Sequence, residues 1–478
     1  MRAVAGFILL NGWFLLIGLA ALRAIGMLAA PVRSRAVLAA LGPAFVAGIG
    51  LLAPLLVLSL IVGIPLNVPV AIIVGGALIA AAELLARRSA HRSTSPTSAP
   101  VLANPVPPVR WLRRGAAVLG GLYLVYGVYA LAAAPTRGDD ARIWSLRSLT
   151  LSYYHSLQPE IFLNPLQQGA HPGYPLLQPI VEALMSISMG APQLRLYHSE
   201  LWLLVGAVVW SAAYLIERRG VPGAVRRPMW LAALVLFALT PITILNVGVG
   251  DADITGSALL ALGTLAIAVW LDRQDRSALA FGAITLVAAA STKDEDLFAG
   301  ILVLVIAGMF VLVRHRDELI RRRPRLRSAW PWLGTVAWFA VFTGDWRLWQ
   351  ASHHLSDTVT PPLPKALSPV YFIDRHRLHQ VVTYLLQQTL QQWGWLAAIF
   401  LVTCAVCWAT RIARATVVFY LAAWLAIAAV IVWIYVTTPL SLGFLIPTSI
   451  NRTVGVFMVL AALATAHLLA QLLRSDPP

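Results

Sequence analysis

The chain alternates long uncharged stretches with short polar ones, and the repeat length matches the thickness of a bilayer. Runs of about 20 residues with no charge recur, the length a helix needs to cross the hydrocarbon core. Thirteen spans are predicted, near 5–23, 36–62, 67–86, 115–134, 199–216, 229–247, 254–271, 277–291, 297–313, 329–344, 387–409, 415–437 and 453–472. The eighth is short and the sixth carries Pro241. The opening MRAVAGFILLNGWFLLIGLAALRA is long enough to span and lacks a small-residue cleavage signal, so it is expected to be a helix and not a signal peptide. The pattern predicts an all-α polytopic membrane protein of about 13 transmembrane helices.

Composition agrees. Of 478 residues, 59% are hydrophobic and 12% charged, against roughly 25% charged in soluble domains. The net charge of +16 would suggest nucleic acid in a soluble protein, but here the position of the charge matters more than its sum. With the N-terminus outside, one set of loops holds 25 of the 36 bases, including Arg87, Arg88, Arg226, Arg227 and the run RHRDELIRRRPRLR at 314–327, and only 7 of the 20 acids. Basic residues resist translocation, so this set is expected to be cytoplasmic and the other extracytoplasmic. No nucleic-acid partner is expected. Abundant Ala and Arg with only two lysines, Lys293 and Lys365, suggests a bacterial chain in the cytoplasmic membrane.

The stretch RRSAHRSTSPTSAPVLANPVPPVRWLRR is rich in Ser and Pro and reads as a flexible linker. It divides the chain into three N-terminal helices (1–86), the linker (87–114), a core of helices (115–345) with an outer loop at 135–198, and a further outer loop with C-terminal helices (346–478). Cys404 and Cys407 fall inside a hydrophobic run and support neither a disulfide framework nor a complete metal site.

The unusual chemistry gathers on the expected outer side. Loop 135–198 opens with GDDARIW, carrying Asp139 and Asp140. Next, Ile143, Leu146, Leu149, Tyr153 and Leu157 step by three and four, with Arg142 and Arg147 off the stripe, predicting a juxtamembrane helix. QGAHPGYPLLQPIVEALM follows, its prolines fixing a turn before another short helix. Two tight turns add ILNVGVGDADITG, with Asp251 and Asp253, and AASTKDEDLFAG, with Lys293, Asp294, Glu295 and Asp296. A loop near 345–386 carries Trp346, Trp349, His353 and His354, and a last outer turn, PTSINRTVG, supplies Arg452.

Charges at span ends are ordinarily interfacial anchors. At the bilayer centre a charge costs on the order of 2.5–3.5 kcal/mol, and turns at the surface avoid that cost without any function. The combination says more than any single residue. Three outer turns each bring acids, and one of them adds a lysine, as expected around a water-filled cavity in which cations neutralise a phosphate.

Four stretches, in order, resemble the bacterial membrane glycosyltransferases of the GT-C superfamily, near the protein mannosyltransferase and aminoarabinose transferase branch. GDDARIWSLRSLTL is similar to the acidic element opening their first outer loop, and HPGYPLLQPIVEAL to their His-Pro-x-x-Pro-Leu element. GVGDADITGSALLAL looks like their Gly-x-Ala-Asp turn and STKDEDLFAGILVL like their Thr-Lys-Asn-Glu-Gly turn. The likeness covers roughly 115–315. The chain departs from the pattern at Asp294 and Asp296, where family members often have Asn and Gly, and at Arg147, where a Lys is expected.

The resemblance implies a GT-C fold and an enzyme that moves a sugar from a polyprenyl-phosphate donor to a glycan, lipid or protein acceptor outside the membrane, with inversion, as in building a cell envelope or cell wall. It implies Asp140 as general base with Asp139 second, Lys293 on the donor phosphate, and Asp253 and Glu295 orienting Lys293. Arg452 joins the phosphate site by placement, and His171 and Tyr174 shape the pocket. No cofactor is required with certainty. A divalent cation, Mg2+ or Mn2+, stays open, with Asp139 and Asp140 as its candidate ligands. The rival reading is a transporter or flippase of lipid-linked saccharide, since intramembrane acids also mark ion pathways. Transporters place acids mid-span or at broken helices near the midplane, whereas these sit at outer ends.

Overall fold

The computed structural model describes residues 2–28, 34–92, 118, 122–123, 125, 127, 140–164, 171–217, 251–314, 330–355 and 374–473. Among them all regular structure is helical. In chain order the elements begin with α1 (Arg2–Ala24), α2 (Ser34–Ile61) and α3 (Val68–Arg92), followed by a π-helical turn (Asp140–Trp144), α4 (Ser145–Tyr154) and α5 (Glu160–Leu163). Next come α6 (Leu177–Met189), α7 (Leu194–Glu217), α8 (Ala252–Arg273), α9 (Arg276–Ala290), α10 (Asp294–Arg314) and α11 (Trp330–Ser352). The last elements are α12 (Arg375–Ala409), α13 (Arg414–Thr437), α14 (Leu442–Leu445), a second π-helical turn (Ile446–Ile450) and α15 (Asn451–Leu472).

Among the described residues, nine helices are long and apolar enough to cross a membrane, Leu442–Leu472 counting as one continuous helix. The chain is therefore a multi-pass helical membrane protein. These nine coincide with nine of the thirteen predicted spans. The spans at 277–291 and 329–344 fall on α9, a shorter apolar helix of 15 residues, and on α11. The span at 229–247 lies outside the described residues, as does all of 115–134 except Val118, Leu122, Tyr123, Val125 and Gly127.

Lipid tails are as apolar as Leu, so burial alone gives helices little reason to associate, and close packing of small residues must do that. At Gly18 of α1 and Gly48 of α2, an added methyl group would run into the backbone of Ala44 and Phe14. Gly6 meets Ser188 of α6 in the same way. Helix α8 and the final helix form the centre, each with 94% of its apolar window buried. Around the outside, Leu9, Ile73 and Val402 stay exposed for lipid.

The two ends of the bundle carry different chemistry. One end holds the Arg23–Glu83 ion pair, the Arg314 bond to the Leu271 carbonyl and the contact of Gln471 with Asp272. The other gathers the turn at 171–174, the start of α8, the α9–α10 link and Arg452. The predicted Arg-rich stretches at 218–227 and 315–327 lie outside the described residues.

Three expectations change. The loop expected at 345–386 is helical at both of its ends, where α11 continues to Ser352 and α12 starts at Arg375, and 356–373 lie outside the described residues. Trp346 and Trp349 stack at 4.7 Å, and Asp374 caps α12 by accepting from the Arg377 amide at 3.0 Å, so helix persists where hydropathy falls. PTSINRTVG is no turn but runs through the second π-helical turn into α15. Pro447 lies in that turn, and having no N–H it leaves one helical hydrogen bond unmade there. Finally, Arg147, expected off an apolar stripe that lies along the membrane surface, is fully buried with Ser145, Ser148 and Leu151, while of that stripe Leu146 and Tyr153 are exposed and Ile143 and Leu157 buried. The polar side of α4 turns inward because it has partners within the protein.

Candidate functional site

Two hydrogen bonds fix α4. The Arg147 guanidinium donates to the Tyr174 carbonyl at 2.6 Å, and the Ser148 hydroxyl to the Glu182 carboxylate at 2.5 Å. Gln178 donates to the other Glu182 oxygen at 2.8 Å. This fastens the first π-helical turn onto the HPGY segment. There the Tyr174 amide closes a β-turn onto the His171 carbonyl at 3.0 Å, with Pro172 at the position whose φ proline pre-sets. His171 adopts a left-handed φ of 44°, rare for a non-glycine residue. Its ring stacks on Tyr174 at 4.7 Å, and Trp144 also stacks on Tyr174, at 5.6 Å. Trp346 of α11 donates to the Gly173 carbonyl at 3.1 Å, and Gln350 bonds the same oxygen.

Lys293, between α9 and α10, joins this aromatic wall to the ionic cluster. Its ammonium lies 5.9 Å from the centre of the Tyr174 ring, 2.7 Å from Asp253 and 3.6 Å from Glu295. Arg452 lies 2.9 Å from Asp251 and 3.7 Å from Asp253. Arg347 of α11 pairs with Asp294. Asp251 occupies the N-cap position of α8, where an aspartate ordinarily accepts from the helix's own amides. Here it makes no side-chain cap bond and is turned to Arg452. Asp253 and the run Asp294–Asp296 sit in first helical turns, where the helix dipole favours negative charge. Room for Asp296 comes from Gly256, where any side chain would strike its carboxylate.

Burial alone would lower the affinity of Lys293 for its proton, but the charges of Asp253 and Glu295 outweigh it and hold the pKa above that of an ordinary lysine. Lys293 is therefore an ammonium at any physiological pH, suited to hold an anion and not to act as a base. Asp345, one residue past the predicted span at 329–344, is pushed up to about 6 by burial, with the Trp346 amide pulling the other way.

Most sequence-predicted site residues meet. His171, Tyr174, Asp253, Lys293, Glu295 and Arg452 form one run of contacts. Asp140 opens the π-helical turn that ends at Trp144; Asp139 and the Asp140 side chain lie outside the described residues. Both described π-helical turns, a rare conformation frequent at functional sites, adjoin this cluster: one leads to Trp144 and the other to Arg452. Sequence reading missed Arg347, Glu182 and the buried role of Arg147. Arg347 had one signal, as the sole base between 330 and 364. Among the described residues no three His, Cys, Asp or Glu side chains group to hold a metal. Asp251, Asp253 and Glu295 instead lie against Lys293 and Arg452, and the side chains of Asp139 and Asp140, the candidate ligands, lie outside the described residues.

Fold and site together define a multi-pass helical membrane protein with a buried ionic cluster and an aromatic wall at one end of its bundle. Comparison with known protein families, curated proteins and solved structures finds no match.

Proposed function

We propose that the chain is a GT-C-like, inverting glycosyltransferase that uses a polyprenyl-phosphate sugar donor on the extracytoplasmic face of a bacterial cytoplasmic membrane. The observation that carries this reading is that four stretches scattered over more than 150 residues, 140–144, 171–174, 251–253 and 293–296, form one connected set of contacts with Arg452 at one end of the bundle. Three cations from three parts of the chain meet there: Lys293, Arg347 and Arg452. Each is matched by a carboxylate, so a donor phosphate would gain them by competing with Asp253, Asp294 and Asp251, which set where the cations point.

In this reading Asp140 takes the proton from an acceptor hydroxyl as that oxygen attacks the anomeric carbon. The bond to the phosphate oxygen breaks, its electron pair leaves with the lipid phosphate, and Lys293 and Arg452 stabilise the charge. His171, Tyr174 and Trp144 wall the sugar. A lipid-linked donor keeps its tail in the bilayer, which places such a site at a bundle end. The test is sugar transfer by the purified protein from radiolabelled polyprenyl-phosphate sugars, wild type against Asp140→Asn. Transfer by wild type alone is the expected result. Equal turnover removes Asp140 as base, and the absence of any transfer, with labelled lipid crossing proteoliposomes instead, moves the chain to the flippase class.

A further inference from the structure

Helices α10 and α11 run antiparallel, with Gly308 beside Trp332, Gly300 beside Phe339 and Asp294 beside Arg347. They leave a groove of about 460 Å3 between Ile301, Val305 and Met309 on α10 and Val336, Phe339 and Ala340 on α11. Trp332 packs on Gly308 toward one end, and Phe339 approaches Gly300 toward the other. No lining residue is charged. Ile301, Val305 and Met309 are each more than two-fifths exposed, so the groove opens sideways from the bundle. Its α10 wall runs from Ile301 to Leu312, about 16 Å at the helical rise of 1.5 Å per residue. Long, narrow and apolar, it suits a single hydrocarbon chain.

The groove does not end blindly. Thr343 lines its outer end and also lines a small adjoining cavity shared with Ser291, Asp345 and Arg347. Phe339, Thr343 and Arg347 recur every four residues, so they lie along one face of α11. Following that face outward from the groove, the next turn carries a guanidinium. Arg347 is held in place: it donates to Asp294 Oδ2 at 3.3 Å and to Gln350 Oε1 at 3.0 Å, and Gln350 in turn bonds the Gly173 carbonyl. It thus stands between the acidic start of α10 and the HPGY turn.

We propose that this groove seats the tail of the lipid-phosphate substrate and that Arg347 is a further phosphate-binding residue. The inference rests on the lipid-phosphate reading given above. The occupant it selects has one long apolar tail and a phosphate head: the tail matches an uncharged groove, and the head meets a planar cation able to bind two phosphate oxygens at once.

The experiment measures binding, not turnover. Radiolabelled polyprenyl monophosphate is bound to the purified full-length protein in detergent, with three competitors: the matching polyprenol, inorganic phosphate and phosphatidic acid. Ala340→Trp and Val305→Trp fill the groove from opposite walls, so one folded variant suffices, as judged by its thermal unfolding and elution. Arg347→Gln removes the charge. A charge-assisted hydrogen bond is worth about 1.5–3 kcal/mol, so its loss is expected to weaken binding about tenfold or more. The groove variants are expected to weaken polyprenyl phosphate and polyprenol alike, and Arg347→Gln to weaken the phosphate alone. Unchanged binding in a folded groove variant overturns the proposal, as does displacement by phosphatidic acid at equal concentration, the mark of a site for bulk phospholipid. If binding follows this pattern but no donor supports sugar transfer, the glycosyltransferase reading fails while the groove stands. If transfer proceeds with unaltered KM in a groove variant, the groove fails while the enzyme stands.

Discussion

Lys293 and Asp253, forty residues apart, meet at 2.7 Å with both side chains almost fully buried. The pair joins the α9–α10 link to the first turn of α8, and Arg452 reaches the same carboxylate at 3.7 Å. Removing one partner of a buried pair leaves an uncompensated charge, which costs about 3–5 kcal/mol. Lys293→Met is expected to lose that much stability, and Lys293→Met with Asp253→Asn to recover most of it. Unfolding of wild type, both single variants and the double in detergent gives the coupling. Simple additivity would show that the pair is not formed.

The two neighbouring carboxylates of GDDARIW separate by activity. Asp140→Asn is expected to lower initial transfer rates by roughly 10²–10⁴-fold, the usual worth of a positioned base, and Asp139→Asn by much less. The reverse order would make Asp139 the base.

Asp345 carries a pH signature. Its carboxyl is raised from the ordinary range to about 6, chiefly by burial, so the folded state binds its proton more tightly than the unfolded chain does. That contribution is complete below the ordinary carboxylate pKa and is lost as pH rises through about 6. Asp345→Asn should therefore gain on wild type between about pH 4 and pH 7 when unfolding temperatures are compared. A difference independent of pH would mean that the carboxyl is not buried as described.

Two glycines in helix interiors are expected to respond with opposite signs. A methyl group at Gly76 of α3 meets nothing within 4 Å, so Gly76→Ala should stabilise by roughly 0.5–1 kcal/mol through helix propensity. Gly18→Ala drives a methyl group into the Ala44 backbone, and overpacking of this kind costs typically 1–3 kcal/mol. Thermal unfolding of the two variants reads the contrast. Equal shifts would mean that α1 and α2 do not pack this closely.

The sequence by itself determined the class of molecule, because a bilayer imposes a length and a polarity that any single span must satisfy locally. It also picked out the GDAD and TKDED turns, since acids and a lysine at the ends of apolar runs stand out without neighbours, and the HPGY turn by its prolines. Hydropathy failed at 345–352, 375–386 and 446–452, where helices run through polar residues because Gln350, Asp374 and Ser449 find partners that a window average does not register. Nor could a helical wheel choose the buried face of α4: Ser148 and Arg147 turn inward only because Glu182 and the Tyr174 carbonyl are there to receive them. The same holds for the pairing of the ionic cluster. One-dimensional spacing predicted that Asp251, Asp253, Asp294, Lys293 and Arg452 share a side of the membrane, and it passed over Arg347. Which cation meets which acid was decided by the packing of α8, α10, α11 and α15, since charges pair across contacts that lie far apart in the chain.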